Sequence, residues 1–256
     1  MSWSLLIVQA LNGLQYGVLL FLLAAGLTLV LGVMNFVNLT HGALYMLGAY
    51  LAAAALGQSG SFLLAALAAV AGTLLVGAAM EWAALRNFYR RGHLDQVLAT
   101  FGLILFFNEA VRMIWGQSPV YMRTPEAFSG TVNLLGFDYP SYRFLVIAVG
   151  LATAGALYLL IHHTRIGMLI RAGAANAQMV SVLGVNIRLV NTLLFGLGAA
   201  LAGLSGLMAA PLFAVQPGMG DNVLIAVFVV IVIGGIGSVR GAFYGALLVG
   251  VVDTVG

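Results

Sequence analysis

The first 80 residues, Met1 to Met80, contain no Asp, Glu, Lys or Arg. A water-soluble domain carries roughly a quarter charged residues, and it cannot leave a stretch of this length uncharged without exposing a large apolar surface. A bilayer requires such a stretch, because about 20 mainly apolar residues are needed to cross a hydrocarbon core about 30 Å thick. The rest of the chain continues the pattern: the 256 residues are 62% hydrophobic and 7% charged. The sequence therefore predicts an all-α polytopic membrane protein with a single transmembrane domain and about eight spanning helices. They fall near 8–33, 41–57, 62–81, 96–115, 142–162, 190–211, 222–236 and 241–256. The last run stops after a short stretch, which leads us to expect a missing C-terminal segment.

All ten basic residues are arginines and there is no lysine. Arg86, Arg90 and Arg91 follow the third apolar run, Arg165, Arg171 and Arg188 follow the fifth, and Arg240 lies between the last two. Alternation of spans puts these seven on one side. Retention of basic loops in the cytoplasm then makes that side cytoplasmic and the N-terminus periplasmic. The net charge of +3 reflects these loops and points to no nucleic acid. The first apolar run has no basic n-region and no small-residue cleavage site after it, so it reads as a retained span.

The chain has no cysteine, which excludes disulfides and thiolate chemistry. There is no P-loop, no G-x-S-x-G and no metal-ligand cluster; His162 and His163 are adjacent and do not share a helical face. We therefore expect a transport subunit and no enzyme, with no cofactor or metal bound by the chain itself. Small residues recur at four-residue spacing, as in Gly13/Gly17 and Gly237/Gly241/Gly245. This is the pattern that lets helix backbones approach closely in a bilayer, and close packing within one bundle is the simpler reading than a dedicated dimer face.

Polar side chains are concentrated in "NFVNLTHGA" (35–43), where Asn35, Asn38, Thr40 and His41 interrupt apolar sequence. Asn and Thr compete for backbone hydrogen bonds and suit helix caps. The stretch reads either as a very short inner loop or as a helix interruption beside a translocation path. We adopt the interruption, since irregular backbone at membrane depth is tolerated where it is buried in protein or lines a cavity. On the same ground His41 reads as a hydrogen-bonded cap and not as a proton carrier. The run "GGIGSVRGAFYGALLVG" (234–250) shows a weak similarity to this pattern. Glu109 and Arg112 lie three apart on one helical face and read as an ion pair, with a position at an outer mouth as the functional alternative. The cytoplasmic segment 163–189 predicts a short helix over 174–183 that stops at Gly184 and offers an uncharged surface for docking another protein.

Four stretches together carry a family resemblance: "GLTLVLGVMNFVNLTHGALYMLGAYLA" (26–52), "LATFGLILFFNEAVRMIWG" (98–116), "RAGAANAQMVSVLGVN" (171–186) and "VIVIGGIGSVRGAFYGALLVG" (230–250). The chain resembles the permease subunits of bacterial ATP-binding-cassette importers for branched-chain amino acids, and most strongly the first of that system's two permeases. The resemblance implies import of branched-chain or related amino acids across the inner membrane. It also implies a second homologous permease, two cytoplasmic ATPases that use ATP, and a periplasmic substrate-binding protein as partners. The segment 171–186 would meet an ATPase, with Arg171, Ala172, Asn176 and Gly184 matching the family pattern. Val180 stands where the family has alanine, and Ala175 and Asn176 replace its usual acidic pair. Family members run past residue 256. Relatives are read as carrying urea, short amides or other amino acids, so those substrates are the alternative. A self-sufficient channel or ion-coupled transporter is the more distant one, because such proteins use intramembrane carboxylates.

Overall fold

The structure, a computed structural model, describes residues 3–89, 91–134 and 137–255. Nine α-helices account for most of these residues. They are α1 (Trp3–Met34), α2 (His41–Ser59), α3 (Phe62–Ala83), α4 (His93–Trp115), α5 (Ser141–His163), α6 (Arg165–Val182), α7 (Ile187–Ala209), α8 (Met219–Gly234) and α9 (Val239–Val255). Five of them, α1, α3, α4, α5 and α7, are long and apolar enough to cross a membrane. The chain is a polytopic all-α membrane protein.

Helices α1 and α7 form the centre. Within their most apolar stretches 78% of the residues are buried, against 22% in α3 and α5 and 17% in α4. The outer faces of the peripheral helices present leucine, isoleucine and phenylalanine, including Leu75, Leu98, Phe106 and Leu159. Lipid is as apolar as these side chains, so nothing drives them inward. The centre must instead cohere by close packing. Helix α1 lies antiparallel to α9, with Gly13 and Gly17 facing the α9 backbone at Gly250, Val251 and Ala246. The paired glycines thus serve contact within the chain.

The end of α1 folds back on itself. Asn35 takes a left-handed conformation with φ 48, and the chain then runs without regular structure to Asn38. It returns alongside α1, so that the His41 ring lies 3.1 Å from the carbonyl oxygen of Leu23. Leu23 is about three helical turns inside the end of α1. Helix α2 therefore begins well within the bundle.

Two segments differ from the sequence expectation. The segment beyond α5 is not a loop with one short helix over 174–183. After the single residue Thr164, α6 runs from Arg165 to Val182 with a kink at Asn176 (φ −161, ψ 92). The Asn176 side chain accepts a hydrogen bond from the Met179 N–H at 2.9 Å, as an N-cap does, so one residue both breaks the helix and restarts it. Gly184, with φ 87, ends it: its N–H reaches Ser181 and that of Val185 reaches Val180, the double bond pattern of a Schellman stop. The long connection 116–140, in turn, contains a β-hairpin of β1 (Thr131–Leu134) and β2 (Phe137–Pro140). Val120 in that connection also bridges Val215, tying it to the segment between α7 and α8.

Candidate functional site

The four polar residues of the 35–41 stretch have distinct partners. Asn38 and Thr40 are fully buried and His41 nearly so. The Asn38 side-chain oxygen accepts the Thr40 N–H at 3.1 Å, closing a local turn. The Thr40 hydroxyl makes no cap to α2; it donates to the Thr100 carbonyl of α4 at 3.0 Å. The Val37 N–H donates to the Gln96 side-chain oxygen at 3.1 Å, and His41 bonds Leu23. Asn35 supplies the left-handed turn. This irregular backbone is thus fastened to α1 on one side and α4 on the other, as buried polar groups require. The amide nitrogen of Asn38 is buried without a partner, the one open position in this arrangement.

Helix α8 also begins inside the bundle, after Gly218 in a left-handed conformation. Its first turn crosses that of α2 at Gly42 and Gly220. A Cβ on Gly42 would lie 2.6 Å from the Gly220 carbonyl oxygen, so only glycine permits this crossing. The Gly218 N–H points at the Met46 sulfur, 3.3 Å away. The first turns of α2 and α8, each a positive dipole end, therefore meet at buried Gly42 and Gly220, with Asp221 and Asn222 exposed beside them. Beside the crossing is a cavity of about 310 Å³ between α1, α2, α7 and α8. Its polar lining is Tyr16, Tyr45, Ser205, Gln216 and Asn222, set among leucines and Phe213. This mixture of an apolar wall and a few polar groups, at the lower end of the ~300–1,000 Å³ typical of small-molecule sites, suits a small molecule with one polar end. Sequence reasoning located the 35–41 stretch but none of these five lining residues. They come from four separate segments, and Gly218 followed by Gly220 was the signal for a second break.

A second polar cluster ties the arginine-rich end to this region. Glu81, at the end of α3, is fully buried. One carboxylate oxygen accepts the Tyr89 hydroxyl at 2.6 Å; the other accepts the Thr192 hydroxyl of α7 at 2.6 Å and Arg86 at 3.3 Å. Burial, then the hydrogen bond and charge of Glu81, push the Tyr89 phenol up, so it remains a donor. The Tyr89 ring packs edge-on against Phe36 with centroids 5.5 Å apart. Gln96, which holds Val37, also donates to the carbonyls of Phe88 and Arg91. A continuous set of contacts thus runs from the start of α7, beside α6, to the segment before α2.

The remaining sequence-predicted residues lie apart from the cavity. Glu109 and Arg112 form an ion pair at 2.7 Å, with both side chains about half exposed. Arg171, Asn176 and Gly184 are exposed on α6 and at its end, and Ala172 is partly buried. Met179, Val182 and Leu183 form an exposed apolar patch beside them, 58%, 82% and 76% accessible. Among the described residues no group of His, Asp and Glu could hold a metal ion.

Residues 9–256 match the family described as branched-chain amino acid transport system, permease component. The chain belongs to this permease family. Among curated relatives it is 33% identical to the high-affinity branched-chain amino acid transport system permease protein BraD of Pseudomonas aeruginosa, over 97% of this chain and 85% of that protein. It is 29% identical to the corresponding permease LivH of Salmonella typhimurium, over 96% of this chain and 84% of that one. A more distant similarity, 28%, extends to the ribose import permease RbsC of Escherichia coli over 90% of this chain and 71% of that protein. No solved structure matches. A permease component works with partner subunits, and buried backbone breaks beside an open cavity suit a transport subunit.

Proposed function

We propose that this permease imports branched-chain or closely related amino acids into the cytoplasm, and that the cavity beside the crossing of α2 and α8 lies on the path. The crossing carries this reading. The first turn of α8 lines the cavity at Met219 and Asn222 and presents its positive dipole end to the polar end of a substrate, while the leucines and Phe213 suit an aliphatic side chain. The buried asparagine and threonine bonds fix the backbone before α2, and α2 reaches the cavity one turn later, at Tyr45.

The chain would act with a second homologous permease, two cytoplasmic ATPases that supply the energy from ATP, and a periplasmic binding protein that delivers substrate. Met179, Val182 and Leu183, next to Arg171, Asn176 and Gly184, form the surface on which an ATPase would dock. The arginine-rich end would face the cytoplasm and the N-terminus the periplasm of an inner membrane. The test is uptake of labelled leucine, isoleucine and valine into vesicles containing this permease, with partner subunits added one at a time. Uptake should need ATP inside and every partner. Equal uptake without the ATPases would replace this reading with a self-sufficient channel, and uptake of ribose or urea in place of leucine would move the substrate class.

A further inference from the structure

We infer that the cleft between α5 and α9 at the arginine-rich end binds the phosphate of an anionic phospholipid, whose acyl chain lies in the groove that continues along α1. The cleft has two connected parts. The outer part is a cavity of about 330 Å³ lined by Arg171, Arg240, His162, Ser238 and Gly32. The inner part, about 140 Å³, is an apolar groove lined by Phe21, Ala154, Tyr158, Phe243 and Tyr244. Ile161, His162, Val239 and Arg240 line both, so a headgroup site opens directly onto an acyl-chain site.

Arg240 is held for this task. Its guanidinium lies 5.1 Å over the Tyr158 ring and donates to the Nε2 atom of His162 at 3.1 Å. His162 donates from Nδ1 to the Tyr158 carbonyl and stacks on the Tyr158 ring at 4.4 Å, which fixes the tautomer. These neutral contacts aim the cation without neutralising it. The ion pairs among the described residues are Glu81–Arg86 and Glu109–Arg112, so no carboxylate balances Arg240 or Arg171. Helix α9 starts at Val239, and its first N–H groups add to the positive field at the same place. Two unpaired arginines in a pocket between helices, at the end of a groove, are matched by a lipid phosphate. Exposed Tyr244, Leu248 and Val252 continue the apolar face of α9 away from the pocket. That continuity is why a lipid is proposed and a free anion is not.

The test is lipid retention by the purified permease complex in mild detergent, read by native mass spectrometry with phosphatidylglycerol or phosphatidylcholine added. The parent should retain phosphatidylglycerol preferentially. Arg240→Gln should lower retention about fivefold, and Arg171→Gln with Arg240→Gln about 25-fold, at the energy of one basic residue near an anionic surface for each. Arg240→Lys should restore most of the loss. Ala154→Phe, which fills the groove and leaves both arginines, should also lower retention; each variant is compared at an unchanged thermal midpoint. Millimolar inorganic phosphate should displace little lipid. The inference is overturned if the double variant keeps as much phosphatidylglycerol as the parent, or if phosphate competes freely, which would mark a soluble-anion site. It is equally overturned if a cysteine at Tyr244 crosslinks to the second permease, which would show that a protein covers the groove.

Discussion

Replacing Glu81 by glutamine tests whether the arginine-rich end is held together by one buried carboxylate. In the parent this group receives three donors from two segments: Arg86 and Tyr89 after α3, and Thr192 of α7. Glutamine keeps one acceptor oxygen, which can still take the Tyr89 hydroxyl. The other position becomes an N–H₂ donor facing Arg86 and Thr192. Thr192 can adapt, because its hydroxyl already donates to the Arg188 carbonyl and can accept from the new amide. Arg86 cannot. A hydrogen bond to a charged group contributes about 1.5–3 kcal/mol, and an exposed pair about 0–1 kcal/mol. With the Arg86 side chain 28% exposed and that of Glu81 1%, we expect a loss of about 2 kcal/mol. At about 2–4 °C per kcal/mol for a chain of this size, the midpoint in detergent should fall by about 4–8 °C. Glu81→Ala removes all three bonds and leaves Arg86, 28% exposed, with the Thr192 hydroxyl as its partner, so its loss should be about 3 kcal/mol. Tyr89→Phe should destabilise the parent more than it destabilises Glu81→Ala, because the bond it deletes is already gone there. Tryptophan fluorescence melting of the five proteins, the double variant included, supplies the measurement. An alanine variant that melts with the parent would refute the reasoning.

Three further outcomes follow from the same geometry. Asn38→Leu should cut uptake per inserted molecule at least about tenfold, by removing the turn that holds Thr40, whereas Leu39→Ala and His41→Gln should keep most activity; parental uptake by Asn38→Leu would make the stretch an ordinary connection. In this cysteine-free chain, single cysteines at exposed Asn87 and Ala175 should resist a membrane-impermeant thiol reagent in intact cells while one at Ala127 reacts, and labelling of the first two would reverse the proposed orientation. Leu183→Glu, 76% exposed in the parent and outside the left-handed position of Gly184, should leave the melting midpoint within about 0.5 kcal/mol of the parent but abolish co-purification of an ATPase, and normal co-purification would remove this patch from the docking surface.

The fold class was legible because charge and apolar length are local properties. The charge-free first 80 residues could be nothing else, whereas α6 forms a helix outside the apolar runs. Asn38, Thr40 and His41 were legible as a break for the same reason: polar groups stand out in hydrocarbon. Their partners were not, since Thr100 and Gln96 lie 60 and 59 residues away. The direction of the break also escaped sequence reasoning, because the backward course depends on the positive φ of Asn35, a residue that adopts many other conformations. Glu81 was visible as the first charge after a long gap, yet its meaning rests on Thr192, 111 residues away. The run 165–182 misled because Asn176, placed inside the expected helix over 174–183, instead breaks one helix and caps the next. The cavity was least legible: Tyr16, Tyr45, Ser205 and Asn222 are unremarkable one by one and acquire a role only when four segments converge.

On the proposed path, substrate passes through the cavity beside the α2–α8 crossing. The absence of native cysteine permits a direct measurement. Asn222→Cys, in the cavity lining and exposed, is assembled with its partners in vesicles and treated with a bulky thiol reagent, with and without excess leucine. The account predicts that modification stops leucine uptake and that leucine slows the modification. Full uptake after complete modification of Asn222→Cys would contradict it.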